Sequence, residues 1–496
     1  MEYDVIIVGS NSGALVSALK LVKEKKKVLL LEENNNISSV NKCFNMGRFE
    51  FDTVINPLYL DSNENKYNIR TILNEFGIDV TFTGINNKFY IYVGKDKIER
   101  IELSFGIEEF IKDIEKIYEG SKESLELLFS LALECKEALN YISEGNVDND
   151  VIKDKYSNFM RVGSYSFKKV CDSLNIRKGV REILESLWIY LGSPSDDLSF
   201  VHYAVFLREF IEKGLSLVKG STSDIDSKLL FEYERNGGEI IFNKMVNNLI
   251  IKKNKVLGVK LTDGSVYYAD DVIVSSNMIN VYNKLIKVED TPVGAIKHIN
   301  ACCVGCNSFS VYLGLNRSAK ELGLDNNLSL IYGSLDSNKE FSNLSKIEHY
   351  NMIANVIKKV GYGVKNNGTC ILNLTTILDN KVYGKYVTKD NELDLKEDYA
   401  FELINRFEEV TGIDVIPFIE EIKIVTPIDY VKNNYQGNVY GFRYTMDDNL
   451  IGRMLNCDKE NYIKGLYIID GFNGDAYLYE SSYYKGYVVA SKIINR

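Results

Sequence analysis

Several residue types and segment types are scarce in this chain. Proline occurs 5 times in 496 residues, about a fifth of its usual frequency. Only 3 histidines are present, and no G-x-S-x-G segment accompanies them, which argues against a serine hydrolase with a histidine triad. Eight cysteines are too few for a disulfide framework and favour a reducing compartment. No apolar run approaches the ~18 residues of a membrane-spanning helix.

The charge balance narrows the class further. The chain has 59 Lys+Arg against 69 Asp+Glu and a net charge of −10, which argues against a nucleic-acid partner because phosphates require clustered basic residues. The first residues, Met-Glu-Tyr-Asp, carry no basic stretch or cleavage site, so no signal peptide is expected and the predicted location is cytoplasmic. The low proline content and the many Lys, Asn and Ile residues indicate an AT-rich bacterial genome.

The N-terminus has the pattern of a βαβ unit. A buried strand is predicted over residues 4–8, a glycine turn and a helix follow from Gly9, and a second buried strand over residues 28–31 ends at Glu32 and Glu33. A helix N-terminus offers free N–H groups to a pyrophosphate, and an acid after the second strand accepts ribose hydroxyls. The pattern therefore predicts a dinucleotide-binding unit.

The glycine motif of this unit is degenerate. In the pattern G-x-G-x-x-G, Gly9 fills the first position, Asn11 the second and Ala14 the third, with Gly13 just before it. Asn11 is expected to adopt a positive φ, because Asn tolerates that conformation better than most residues. A βαβ unit without a nucleotide is the alternative interpretation.

Later segments extend the predicted sheet. Strands are predicted at residues 246–251, 255–260 and 269–275, separated by short turns, which is typical of a β-meander. Near the C-terminus a buried strand at 465–471 precedes a helix at 482–494. The order of these segments predicts that the chain returns to its first sheet.

Taken together, these motifs resemble the phytoene desaturase/carotenoid isomerase-type FAD-dependent oxidoreductases, within the flavin amine oxidase-like group. The resemblance extends in order over nearly the whole chain. Besides the N-terminal unit, it is carried by Phe49-Glu-Phe-Asp-Thr53, Tyr190–Pro194, Lys219-Gly220, Gly237-Gly238-Glu239, Ser308–Gly314, Thr426-Pro427 and the C-terminal strand.

The resemblance implies an α/β fold with two interleaved domains. A Rossmann-like FAD-binding domain, with a parallel sheet and a β-meander, would comprise residues 1–75, 215–290 and 440–496. An α+β substrate domain would comprise residues 76–214 and 291–439.

The resemblance also implies a cofactor site. Glu32 would bind the adenosine ribose, the main chain around Val246 would hold the adenine side, and the C-terminal strand and helix would lie beside the ribityl chain and flavin. The implied cofactor-binding residues are Gly9, Asn11, Gly13, Ala14, Glu32, Glu33, Ser39, Val246, Asp470 and Gly471.

Departures from the family pattern concentrate at this site. Ser38-Ser39 replaces two glycines, Asp470-Gly471 inverts the usual Gly-Asp order, and residues 475–481 replace a loop rich in glycine and proline. Within the altered loop and the following helix, Tyr479, Glu480 and Tyr483 are candidates for an acid/base group or a substrate anchor. Simple packing of the tyrosines is the alternative.

Two further patterns carry open alternatives. Cys302, Cys303 and Cys306, with His298 upstream, are interpreted as packing at a strand edge, and a zinc site or a redox pair is the alternative. The apolar stripe of residues 125–133 is interpreted as core, and contact with membrane lipid, as in relatives, is the alternative.

The leading hypothesis is an FAD-dependent oxidoreductase of desaturase or isomerase type, which acts on a hydrophobic or unsaturated small molecule by hydride transfer at flavin N5. A second hypothesis keeps FAD and makes the substrate an amine or a peptide-derived product. A third is a binding partner of the same fold without FAD. No metal site and no NAD(P)H site are predicted, and a protein partner or a homo-oligomer stays open.

Overall fold

A computed structural model describes most of the chain. The described residues are 2–37, 44–51, 69–84, 87–143, 148–214, 216–218, 222–324, 328–346, 351–357, 368–379, 392–430, 439–443, 445, 462–469 and 480–496. The strands are β1 (Glu2–Val8), β2 (Val28–Leu31), β3 (Phe44–Met46), β4 (Phe49–Phe51), β5 (Phe82–Gly84), β6 (Lys88–Val93), β7 (Glu99–Ser104), β8 (Ser216–Val218), β9 (Glu239–Ile241), β10 (Val246–Lys252), β11 (Lys255–Leu261), β12 (Val266–Val274), β13 (Asn307–Leu315), β14 (Leu328–Tyr332), β15 (Met352–Ile357), β16 (Cys370–Leu378), β17 (Ile419–Val425) and β18 (Leu466–Ile468).

The helices occupy the intervals between these strands. They are α1 (Ser12–Lys23), α2 (Ile69–Glu75), α3 (Ile107–Ile117), α4 (Lys122–Ser143), α5 (Asn149–Lys155), α6 (Ser157–Val162), α7 (Phe167–Ser173), α8 (Lys178–Glu185), α9 (Phe200–Lys213), α10 (Thr222–Arg235), α11 (Met278–Asn280), α12 (Val293–Ala301), α13 (Ser337–Asn343), α14 (Glu392–Thr411), α15 (Pro427–Tyr430) and α16 (Glu480–Ile494).

The first sheet has the strand order β10-β11-β12-β1-β2-β9, and β18 pairs with β12. Strands β9, β2, β1, β12 and β18 run parallel, whereas β10, β11 and β12 form the antiparallel meander. Val5, Ile6 and Ile7 of β1 have no exposed surface, as expected for a parallel strand covered on both faces. The predicted βαβ unit, meander and C-terminal strand are therefore confirmed as parts of one sheet.

Helices α1, α2, α10 and α16 share a core on one face of this sheet. The core combines Val5 and Leu30 of the sheet with Leu19 of α1, Leu229 of α10 and Ala490 of α16. The chain thus crosses the same face at its beginning, middle and end.

The second sheet has the order β17-β13-β16-β15-β14-β6-β7. One face packs on α14, with Phe309 and Leu313 of β13 against Tyr399 and Leu403. The other face meets the helices α3 to α9 through Ile353 and Ile377, and the β3–β4 hairpin through Tyr312 and Ile371.

The helical region between residues 107 and 213 forms one apolar cluster with the second sheet. Leu125, Leu128, Phe129 and Ala132 of the predicted stripe are buried in it, whereas Leu133 is 38% exposed. These four positions agree with core packing, and lipid contact stays a prediction. Among the described helices, none is both long and apolar enough to cross a membrane.

The α/β fold class predicted from the sequence is confirmed, with a Rossmann-like first sheet. The strands of the first sheet come from three separate parts of the chain, and those of the second sheet come from the intervening parts. The numerical boundaries of the two domains stay a prediction.

Candidate functional site

The turn after β1 is built on Gly9. Its φ is +85°, a conformation that glycine adopts without the steric cost other residues meet. Its N–H donates to the carbonyl of Leu31 over 2.8 Å. A Cβ at Gly9 would lie 3.2 Å from the carbonyl oxygen of Ser275. Gly9 therefore lets the turn close tightly over the ends of β1, β2 and β12.

Asn11 corrects one expectation from the sequence. Its φ is −67° and its ψ is 169°, so it is extended rather than left-handed. It is the N-cap of α1, and its side-chain oxygen accepts from the Ala14 N–H over 2.9 Å. The physical reason is that the amide can satisfy a free helix N–H, a role Asn fills as well as any residue. The helix therefore still begins at Ser12, although Asn11 replaces the second glycine of the motif.

Glu32 ends β2 as predicted and is fully buried. Its Oε2 accepts from the Ser10 hydroxyl over 2.6 Å, and its Oε1 accepts from the Asn34 main-chain and side-chain N–H groups over 2.9 and 2.8 Å. A carboxylate has about four acceptor sites, so this arrangement orients the group and leaves capacity for a ligand hydroxyl. Glu33, by contrast, is exposed.

Ser275 is a site residue that the sequence patterns did not single out as such. It follows β12, its N–H donates to the carbonyl of Val8 over 2.8 Å, and its Cβ lies 3.3 Å from a Cβ built on Gly9. Its hydroxyl is buried and has no hydrogen-bond partner among the described residues. A buried hydroxyl without a partner is unfavourable, so its place beside the glycine turn fits a polar ligand there.

The first turns of α1 and α16 are in direct contact. The Gly13 N–H donates to Ser482 Oγ over 3.1 Å, and a Cβ at Gly13 would lie 2.5 Å from the Ser482 carbonyl oxygen. The Ser17 hydroxyl donates to the Gly486 carbonyl over 2.7 Å. Two helix N-termini, each with partial positive charge, therefore lie side by side, as a doubly charged pyrophosphate would require.

A buried carboxylate joins the helices beneath this contact. Asp226 of α10 has no exposed surface, and it accepts from the Ser12 hydroxyl of α1 over 3.1 Å and from the Tyr483 hydroxyl of α16 over 3.2 Å. Tyr483, one of the three candidate acid/base or anchor residues, is itself fully buried in the core of the first sheet. Tyr483 is thus both packed in this core and hydrogen-bonded to Asp226, and its role as an acid/base group or anchor stays a prediction.

The remaining predicted positions divide into two groups. Val246 begins β10 and is 6% exposed, and Ala14 is buried in the first turn of α1. Ser39, Asp470, Gly471 and Tyr479 lie outside the described residues. Glu480 begins α16, two residues before the predicted start of that helix, and only its backbone is described. The structure thus brings together Gly9, Asn11, Gly13, Ala14 and Glu32.

The cysteine segment shows no ligand cluster. Cys306 is buried, its thiol donates to the Gly192 carbonyl over 3.4 Å, and burial raises its pKa to about 12. Cys303 is exposed, and His298 Nδ1 lies 3.3 Å from the Tyr462 hydroxyl. Within the described part of the chain, no group of three or more His, Cys, Asp or Glu residues could hold a metal. Cys306 is therefore a buried packing residue at the start of β13.

Comparisons with known proteins identify what the chain as a whole resembles. No model of a known protein family matches the chain. The chain is 21% identical over 309 residues to prolycopene isomerase 1 of an Oncidium hybrid, covering 59% of this chain and 51% of that protein. It is 22% identical over 363 residues to the all-trans-retinol 13,14-reductase of Rattus norvegicus, covering 68% and 58%. The matched part of the chain thus spans about half the length of these curated relatives.

Similarity to solved structures extends over the full chain. A putrescine oxidase redesigned at its cofactor-binding site superposes with a TM-score of 0.67 at 12% identity, covering 100% of both chains. At that identity the likeness is one of fold. Together, the sequence and structure comparisons confirm the predicted resemblance to the phytoene desaturase/carotenoid isomerase-type FAD-dependent oxidoreductases.

Proposed function

We propose that this chain is an FAD-dependent oxidoreductase that acts on a hydrophobic or unsaturated small molecule. The observation that carries the proposal is the convergence of Gly9, Glu32 and Ser275 at the carboxyl ends of three adjacent parallel strands. In open α/β sheets this edge is where dinucleotides bind. The relatives named prolycopene isomerase 1 and all-trans-retinol 13,14-reductase support the choice of substrate class.

The residues present suit FAD in three respects. The Gly9 turn and the paired N-termini of α1 and α16 suit the pyrophosphate, because N–H groups and partial positive charge converge there. The buried Glu32 carboxylate, held by Ser10 and Asn34, suits ribose hydroxyls. The Ser275 hydroxyl, which has no partner within the described part of the chain, supplies a further donor beside the turn.

The chemistry is divided between cofactor and protein. FAD, when bound, supplies a flavin ring that takes a hydride from, or returns one to, a substrate carbon. The chain's own contribution is to bind and orient the substrate and to exclude water, since the protein around a cofactor supplies binding, orientation and electrostatics. The same reaction releases a proton from the neighbouring carbon when a double bond forms and takes one up when a double bond is reduced, and Tyr479 and Glu480 stay candidates for the group that exchanges it.

Titration of the purified protein with FAD tests the proposal. We expect saturable binding at one site, visible as quenching of flavin fluorescence, and a yellow protein after gel filtration. Gly9→Ala should raise the Kd for FAD at least about tenfold, because a left-handed residue costs of order 1 kcal/mol or more and the new Cβ presses on Ser275. Gly237→Ala is the matched control, with φ +88° and nothing within 4 Å of the new Cβ.

Two other results would replace the proposal. A well-folded protein that stays colourless and takes up no FAD would instead support a binding partner of the same fold. A flavin that is bleached anaerobically by amines, and not by unsaturated alcohols or polyenes, would keep FAD and move the substrate to the amine class.

A further inference from the structure

One face of the second sheet carries three polar side chains that are hydrogen-bonded in series and lie among apolar residues. Ser310 of β13 pairs in register with Thr375 of β16, and Asn373 lies two residues along β16 on the same face. Ser310 Oγ and Thr375 Oγ1 are 2.8 Å apart, and the Thr375 hydroxyl donates to Asn373 Oδ1 over 3.2 Å. Since Thr375 has one proton to donate, Ser310 is the donor in the first of these bonds.

Apolar residues border these three side chains, and Asn373 itself pairs in register with Tyr312 of β13 and Asn355 of β15. Ile353 and Ile377 belong to the cluster formed with the helices α3 to α9, whereas Tyr312 and Ile371 belong to the cluster formed with the β3–β4 hairpin. Ser310 and Thr375 have no exposed surface, and Asn373 is 1% exposed. Burying polar groups at this position is unfavourable unless each finds a partner.

This series of hydrogen bonds ends at the Asn373 amide, whose N–H groups are not used within it. Asn373 Nδ2 is buried and has no hydrogen-bond partner among the residues that the structure describes. An amide left without a partner costs free energy comparable to that of the bonds that hold it. The opposite end of the same side chain is nonetheless fixed by Thr375, so the N–H groups are held in one direction.

We propose that Ser310, Thr375 and Asn373 form a substrate-specificity subsite whose Asn373 amide donates to an oxygen atom of an otherwise apolar, unsaturated substrate. This inference rests on the proposed function and names the substrate class more closely: an oxygenated molecule, such as a ketone or an ester, rather than a pure hydrocarbon. The apolar clusters on both sides suit the hydrocarbon part, and the amide suits the oxygen.

Calorimetric binding of matched probes to the FAD-loaded protein tests the subsite. The probes are β-ionone and its analogue in which a methylene group replaces the carbonyl oxygen. We expect the wild-type protein to bind the ketone about tenfold more tightly, which is the usual consequence of satisfying a buried donor. Asn373→Leu should abolish the preference, and Thr375→Val should reduce it because the amide is no longer oriented.

Thr376→Val is the matched control. Thr376 lies on the opposite face of β16 and donates to the Asn351 carbonyl, so this variant should retain the preference even where its melting temperature falls. Asn373→Asp, which offers only acceptors, should favour the corresponding primary amine over the ketone.

Three outcomes would overturn the inference. The first is equal affinity of the wild-type protein for both probes, which is expected where a structural water satisfies the amide. The second is a preference for the ketone that survives in Asn373→Leu. The third is tighter binding of the primary amine than of the ketone by the wild-type protein. Absence of bound flavin, measured by absorbance before each titration, would instead count against the proposed function.

Discussion

Glu32 is oriented for a ligand by two hydrogen-bonding neighbours, Ser10 and Asn34. Ser10 in the glycine turn and Asn34 after β2 hold both carboxylate oxygens, so the group is oriented although it is fully buried. Hydrogen bonds to a charged acceptor are stronger than those to a neutral one. The charge of Glu32, more than its shape, should therefore determine how well a ribose is bound.

Glu32→Gln should weaken FAD binding. The amide keeps the size of the side chain but removes the charge, and bonds to charged groups contribute about 1.5–3 kcal/mol, so the Kd for FAD should rise about tenfold or more. Flavin fluorescence titration measures it. The exposed Glu33 provides the control: Glu33→Gln should leave the Kd unchanged, and equal effects of both substitutions would contradict the role given to Glu32.

At the scale of elements, the contact between α1 and α16 positions both helix N-termini. Gly13 and Gly486 let the two helices approach to backbone distance, because a Cβ at Gly486 would lie 2.0 Å from the Gly13 carbonyl oxygen. The Ser17 hydroxyl and the Asp226 carboxylate add bonds across the same helices. No side chain larger than hydrogen fits at this crossing.

Gly486→Ala should destabilise the protein by about 1–3 kcal/mol, the usual cost of overpacking, despite the better helix propensity of alanine. Urea unfolding measures this change. The Gly486→Ala substitution should also raise the Kd for FAD, since α16 must move away from α1. Ser491→Ala, on the same helix, removes only a bond to the Tyr487 carbonyl and should change neither quantity by much. A Gly486→Ala protein as stable as wild type would show that the helices separate freely.

At the scale of the whole molecule, a buried acid joins the helical region to α13, the helix that follows β14, and α13 carries a second buried acid. Glu185 at the end of α8 accepts from the Ser337 hydroxyl of α13 over 3.3 Å, and Glu340 lies on the same short helix. Burial raises the pKa of Glu185 to about 7 and that of Glu340 to about 7, from an ordinary value of 4.5. Both groups therefore bind protons more tightly in the folded protein than in the unfolded chain.

The free energy of unfolding should accordingly fall as the pH rises. The contribution of each acid is fully present below pH 4.5 and is lost as the pH passes through about 7, with an upper limit of about 3 kcal/mol per group. Urea unfolding at pH 5.5 and pH 8 should show the higher stability at pH 5.5. The variant with Glu185→Gln and Glu340→Gln should show a flatter profile, whereas Glu182→Gln on α8 should not. An unchanged slope in the double variant would exclude these groups as its source.

The sequence by itself determined the elements whose signals are local. Val5–Val8 and Val28–Leu31 are short apolar runs that only a buried parallel strand explains well, and Gly9 and Glu32 stand at fixed spacings from them. The order of the later motifs placed the meander and the final strand correctly, because neighbouring elements of one sheet follow from topology.

Tertiary structure alone decided the rest. Asn11 could cap a helix or adopt a positive φ, and the folded chain has it as the N-cap of α1, bonded to the Ala14 N–H. Gly13 and Gly486 are 473 positions apart, and Ser310 and Thr375 are 65 apart, so no local pattern pairs them. Their roles depend on which faces meet when the sheets and helices pack, and on which buried polar groups are left without a partner. Contacts between residues so far apart in the sequence are set by the packing of the folded chain, because close-packed elements fix which side chains meet.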